Sequence, residues 1–291
     1  MSSSFDIITD STTDLTPALI AEANLHIVPL HFTLDGAEYV NYPDERELSA
    51  AEFYAKLRAG GMSVTTQLTP QTFVEYFTPF LQSGKDVLYL AFSSSLSGTC
   101  DSGRAAADEL AKTFPDRRVV VVDTLAASMG EGLLAFEAAQ LRNGGASLDE
   151  TAAFCVSRVP NLCHWFTVDD LKHIKRGGRI SAAAALLGGI LYIKPVMHLD
   201  SDGKLVPVAK VRGRHKALEG LCERMRNSYL PELGGTVFVS HSDCLGDAEF
   251  VAEYVRRNFP VRRVEIGGIG PVIGSHSGPG TVALFFWGKE R

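Results

Sequence analysis

A chain of 291 residues is longer than one hydrophobic core usually spans, so two lobes are expected, with one large α/β domain as the minority arrangement. At 45% hydrophobic and 21% charged residues the composition is that of an ordinary globular protein, and no part of the chain has to be disordered. The formal net charge of -6 excludes the global positive field that nucleic acid or an anionic membrane surface would need; a local basic patch and transient membrane contact stay open.

The opening stretch carries Asp6 and Asp10 where an export signal would need a basic start and an apolar run. Phe5 to Thr9 is apolar and β-branched, and Asp10 to Asp14 supplies the small polar residues of a turn and a helix N-cap, so the order reads strand, loop, helix. Helices are predicted over 51–57 and 70–81. A second strand, Asp86 to Leu90, runs into Ser93, Ser94 and Ser95, and a third, Arg118 to Val122, runs into Asp123 and Thr124. Each run is short and nearly continuous, as in a parallel strand covered by helices on both faces. Further helices are predicted over 100–113, 130–141 and 148–159, the last carrying the chain out of the first lobe. Strands over 205–209, 235–239 and 281–286, with helices over 216–228 and 247–258, then predict a second α/β lobe with a mixed sheet. The expected division is 1–158 and 159–291. Five cysteines, Cys100, Cys155, Cys163, Cys222 and Cys244, contain no CxxC pair, so neither a zinc site nor a disulfide framework is expected and a reducing cytoplasm fits best.

Three polar segments hold the candidate chemistry. Ser93 and Ser94 precede Ser97-Gly98-Thr99 at the start of a helix, where free N–H groups suit either simple capping or an anion. Asp10-Ser11-Thr12 and Thr65-Thr66-Gln67 add hydroxyls. No Lys or Arg lies in any of the three segments and no phosphate loop of the GxxxxGK[ST] type is present, so a singly charged carboxylate suits them better than a phosphate. The Gly- and Pro-rich stretch 270–280 reads as a rigid loop around His276, which can donate to a carboxylate, polarise a carbonyl or cap a turn. Its central His stands where a hydrolase nucleophile elbow places Ser. A hydrolase or transferase using Ser93 or Ser94 with His276 as base is the alternative reading. Two basic stretches, 172–179 and 210–216, are either solvated faces or a docking patch for an acidic partner. Between them the small and apolar run 182–193 suits core packing or the wall of an apolar tunnel.

In order along the chain, these segments resemble the DegV family. The resemblance rests on Ile8-Thr9-Asp10-Ser11, Thr65 to Thr69, Ser93 to Thr99, Asp123-Thr124 with Ser128-Met129-Gly130, Arg176 to Ser181, Lys194-Pro195, Lys210-Val211-Arg212 and His276 to Gly280. It implies a two-lobed α/β carrier, with no catalytic residue, metal or cofactor of its own, that holds a long-chain fatty acid while a separate fatty-acid kinase catalytic subunit phosphorylates it. It further implies that Thr65, Thr66, Ser93, Ser94 and His276 receive the carboxylate, that the acyl chain enters the second lobe, and that Arg179 and Arg212 dock the kinase. Thr66 and Leu68 depart from the Ser and Pro that the family commonly shows. The first keeps a hydroxyl; the second leaves the segment less rigid.

Overall fold

The computed structural model describes residues 4–180, 193–289 and 291. The chain opens with β1 (Phe5–Asp10), α1 (Pro17–Ala23) and β2 (His26–Val28), then the short strands β3 (His31–Leu34) and β4 (Ala37–Val40). It continues through α2 (Ala50–Arg58), β5 (Ser63–Thr66), α3 (Pro70–Gln82), β6 (Asp86–Ala91), α4 (Thr99–Thr113) and β7 (Val119–Asp123) to α5 (Met129–Asn143) and α6 (Leu148–Arg158). Strands β2, β1, β6 and β7 form an all-parallel sheet in that order, and β4, β3 and β5 form a small antiparallel sheet beside it. Every residue of β1 is buried, the apolar Phe5, Ile7 and Ile8 together with the polar Asp6, Thr9 and Asp10, as in a strand covered on both faces.

The second half contributes β8 (Leu162–Thr167), α7 (Lys172–Gly177), β9 (Ile193–Leu199), β10 (Leu205–Arg212), α8 (Arg214–Ser228), β11 (Thr236–His241), α9 (Leu245–Asn258), β12 (Arg263–Gly268), α10 (Pro271–Ser277) and β13 (Val282–Trp287). Its six strands run β10-β9-β8-β13-β11-β12, antiparallel throughout except for the parallel pair β11–β12, so the sheet is mixed as expected. The strands of the parallel sheet all precede residue 158 and those of the mixed sheet all follow it.

Helix α5 lies against both sheets, touching β1 and β6 of the first and β8, β11 and β13 of the second. Gly130 makes the approach to the second sheet close enough: a methyl there would sit 2.1 Å from His164 Nε2 and 2.7 Å from Phe285 Cδ1. The largest apolar cluster accordingly joins Leu88 and Leu90 of β6 to Phe166, Phe238 and Phe285 of the second sheet. Among the described residues no helix is long and apolar enough to cross a membrane. The run expected to line a tunnel falls, but for Ile193, on residues 181–192, outside those described.

Candidate functional site

A cavity of about 360 Å³ opens where the small sheet, α7, α10 and the mixed sheet meet. Phe92, Leu96, Phe166, Leu199, Leu205 and Phe285 make its wall largely apolar, while Thr65, Thr66, Gln67, Ser97, Arg179 and His276 bring polar groups to it.

The polar group is assembled by two elements that sequence patterns describe as loops. Thr65 and Thr66 lie in β5, paired with Phe32 and His31 of β3. His276 lies in α10, a two-turn helix with Pro271 in its first turn, where the missing N–H costs nothing. Gly274 lets this helix close on α2, since a methyl there would sit 2.4 Å from the Tyr54 hydroxyl and 3.0 Å from the Phe53 ring. Two side-chain contacts then join β5 to α10, Ser63 Oγ to Ser275 Oγ at 2.6 Å and Thr65 Oγ1 to His276 Nε2 at 2.8 Å.

Burial pulls the His276 imidazole down to about 4, helped by the positive charges of Arg179 and Arg176, so the ring is neutral at pH 7. A neutral imidazole that donates from Nε2 to Thr65 leaves the threonine hydroxyl proton free for a further acceptor in the cavity. Arg179 is exposed at the rim, where its guanidinium donates to the Leu96 and Gly177 carbonyls. Among the described residues the site thus offers hydroxyls, two neutral imidazoles, those of His276 and the buried His164, and one rim cation to an anion at the end of an apolar space. That suits an amphiphile with one small anionic end.

Ser93 and Ser94, expected among the anion-binding hydroxyls, are not brought to this cavity. Ser93 is fully buried and its hydroxyl donates to the Gly203 carbonyl at 3.1 Å; the Ser94 N–H donates to Asp123 Oδ1 at 3.2 Å. Ser95 donates to the Asp202 carbonyl at 2.5 Å, and with Ser93 it holds the tip of the β9–β10 hairpin. Ser97, three residues on, is the serine of this segment that faces the cavity, and Gln67 joins it. Residue type alone does not separate Ser97 from Ser93, because the backbone path of the turn decides which hydroxyl points inward. No Ser–His pair forms between Ser93 or Ser94 and His276, whose ring contacts Thr65 instead. Arg212 stands exposed at the end of the edge strand β10, in register with Ile193, away from the cavity lining.

The family model described as "Uncharacterised protein, DegV family" matches residues 4–289. A DegV domain-containing protein of Clostridium perfringens is 43% identical over 287 residues, covering 99% of this chain and 98% of the relative. Among solved structures, a fatty-acid-binding DegV family protein from Thermus thermophilus is similar at 32% identity and a TM-score of 0.87, covering 98% of this chain and 99% of the other. A DegV lipid-binding protein from Thermotoga maritima is similar at 29% identity and a TM-score of 0.85, with 99% of each chain covered.

Proposed function

The chain belongs to the DegV family, and from that premise we propose that it binds a long-chain fatty acid and presents the carboxylate to a separate kinase for acyl-phosphate formation. The observation that carries the reading is the Thr65–His276 pair, 2.8 Å apart, set in the wall of a mainly apolar cavity. Related DegV proteins of known structure are described as fatty-acid-binding, which supports the choice of ligand.

The two ends of such a ligand meet different physics. An acyl chain burying about fourteen methylenes gains on the order of 11 kcal/mol at about 0.8 kcal/mol each, before ordering costs. Burial supplies the affinity, and the hydroxyls of Thr65, Thr66 and Ser97 with His276 fix which end faces them, because a buried carboxylate without partners is expensive. Phosphoryl transfer needs a nucleotide cradle, and the kinase reading assigns that part to another chain. Arg179 at the cavity rim and Arg212 on β10 are the residues we assign to kinase docking.

Native mass spectrometry with lipid extraction of the gently purified protein tests the first half of the reading. A mixture of long-chain fatty acids at one per chain is expected from the parent, with loss of the adduct in Thr65→Val combined with His276→Ala. A protein that emerges without lipid, and that titration calorimetry shows to ignore added palmitate, would overturn it.

A further inference from the structure

Beneath the cavity wall, independent of what the cavity holds, three elements meet through a line of buried oxygens. Thr9 Oγ1 on β1 lies 2.9 Å from the Leu90 carbonyl oxygen on β6 and 2.9 Å from Glu131 Oε1 on α5. Thr12 Oγ1 lies 2.8 Å from Glu131 Oε2 and 2.5 Å from Asp10 Oδ1. Asp10 Oδ2 accepts from the Tyr89 hydroxyl at 2.8 Å, and Asp10 Oδ1 also accepts the Thr12 N–H. Asp10, Glu131, Thr9 and Thr12 are all 0% exposed.

Counting protons decides the state of the acids. Four oxygen–oxygen contacts join Leu90, Thr9, Glu131, Thr12 and Asp10, and the two threonine hydroxyls supply only two protons. A carbonyl cannot donate, so the Thr9 proton goes to Leu90. Glu131 must then donate from Oε1 to Thr9 and accept at Oε2 from Thr12, and Asp10 must donate from Oδ1 to Thr12. All four contacts are satisfied only when both carboxyls carry a proton.

We propose that Asp10 and Glu131 are neutral carboxylic acids in the folded protein, forming with Thr9 and Thr12 a one-directional relay that pins the first turn of α5 to the end of β1. Ala127 and Ser128, which enter that turn, belong to the cavity wall, so the relay also fixes the wall. Burial raises both acids, and the titratable groups bearing on them from neighbouring elements are Asp14, Tyr89 on β6 and Cys100 on α4, none of which is a cation. Raising the pH therefore works against the relay, and the stability it contributes declines as pH climbs from the unfolded carboxyl range toward the raised folded values.

Three measurements test the assignment. In Glu131→Gln the amide donates to Thr9 and accepts from Thr12 without titrating, so its melting temperature at pH 6 is expected within about 5 °C of the parent, while Glu131→Ala falls much further. The infrared band of un-ionised carboxyl groups, present in the parent at pH 7, loses intensity in Glu131→Gln. The third needs no variant: unfolding of the parent at pH 7.5, where contributions from unfolded histidines and cysteines are small and opposite in sign, is expected to release about three protons, from Asp10, Glu131 and Asp14. A Glu131→Gln chain as destabilised as Glu131→Ala, an unchanged infrared band, or release of about two protons or fewer, which Asp14 with at most one relay acid would supply, overturns the proposal.

Discussion

Burial pulls His276 down to about 4 and pushes Asp14 up to about 8, so the two act on the stability profile in opposite directions. The folded pKa of His276 is depressed, so its contribution is fully present above the unfolded value near 6.5 and is lost as pH falls toward 4. Asp14, bonded to the Ser128 hydroxyl and the Gly270 N–H, has a raised folded pKa, so its contribution is present below the unfolded value near 3.8 and is lost as pH rises through 8. Between pH 4 and 6.5 the two oppose each other, and from 6.5 to 8 the Asp14 loss stands alone, so melting temperatures are expected to fall from pH 6.5 to 8, and His276→Ala should raise the melting temperature at pH 4 relative to that at pH 6.5. The neighbouring hydroxyls separate binding from folding. Thr65→Val should weaken fatty-acid binding by about 1.5–3 kcal/mol, the usual loss of a hydrogen bond to a charged group. Ser93→Ala should leave that affinity unchanged and lower stability by about 1 kcal/mol, because the buried Gly203 carbonyl loses its donor. Calorimetry with palmitate beside thermal melts of the same preparations checks both.

Helix α5 depends on the absence of a side chain at Gly130, and Gly130→Ala should cost about 1–3 kcal/mol or more by pushing the helix off His164 and Phe285, read from denaturant midpoints. At the other edge of the molecule, Lys210 and Arg212 stand exposed on the outer strand β10, two residues apart on one face. Arg212→Ala should leave fatty-acid binding nearly intact and weaken kinase association, and salt should weaken the parent complex by screening. Loss of fatty-acid binding with normal kinase association would move Arg212 into the ligand site. Elements were legible in the sequence to the degree that their residue types were uniform. β1, β6 and β7 are short apolar runs between polar turns, and α3 and α5 show helical spacing with identifiable ends. The small sheet was not legible, because strands of four residues, many of them polar, are too short to show a period. β8 mixes Cys, His, Trp and Thr in a run that is buried throughout, and β9 contains Pro195, so neither matches a strand pattern. α10 reads as a loop on its glycines and proline; packing on Tyr54 and Phe53 makes it a helix. His276 and Thr65 could be chosen by chemistry from the sequence, but Ser97 could not be chosen over Ser93 without the path of the turn.

The two sheets share one apolar cluster, and the Tyr54 hydroxyl on α2 ties the first half to the second as well, donating to the Ile269 carbonyl at 2.7 Å and contacting Ser242 Oγ at 3.0 Å. A boundary crossed by a core does not separate into independent units, so one cooperative transition is expected. Trp165 and Trp287 fluorescence reports the mixed sheet, and amide exchange on β1 and β6 reports the parallel one; midpoints that differ by several degrees would contradict shared melting. The cavity has a further consequence, because its apolar wall belongs to that same shared core. A bound acyl chain would be core packing that the polypeptide does not encode, and a ligand at a hundred times its Kd would add about 2.7 kcal/mol to the folded state. Laden molecules would then outlive unladen ones under cellular proteolysis, so the amount of carrier would follow the supply of cargo without any change in synthesis. Pulse-chase turnover of the protein in cells grown with and without exogenous fatty acid should show the longer half-life in the fed culture.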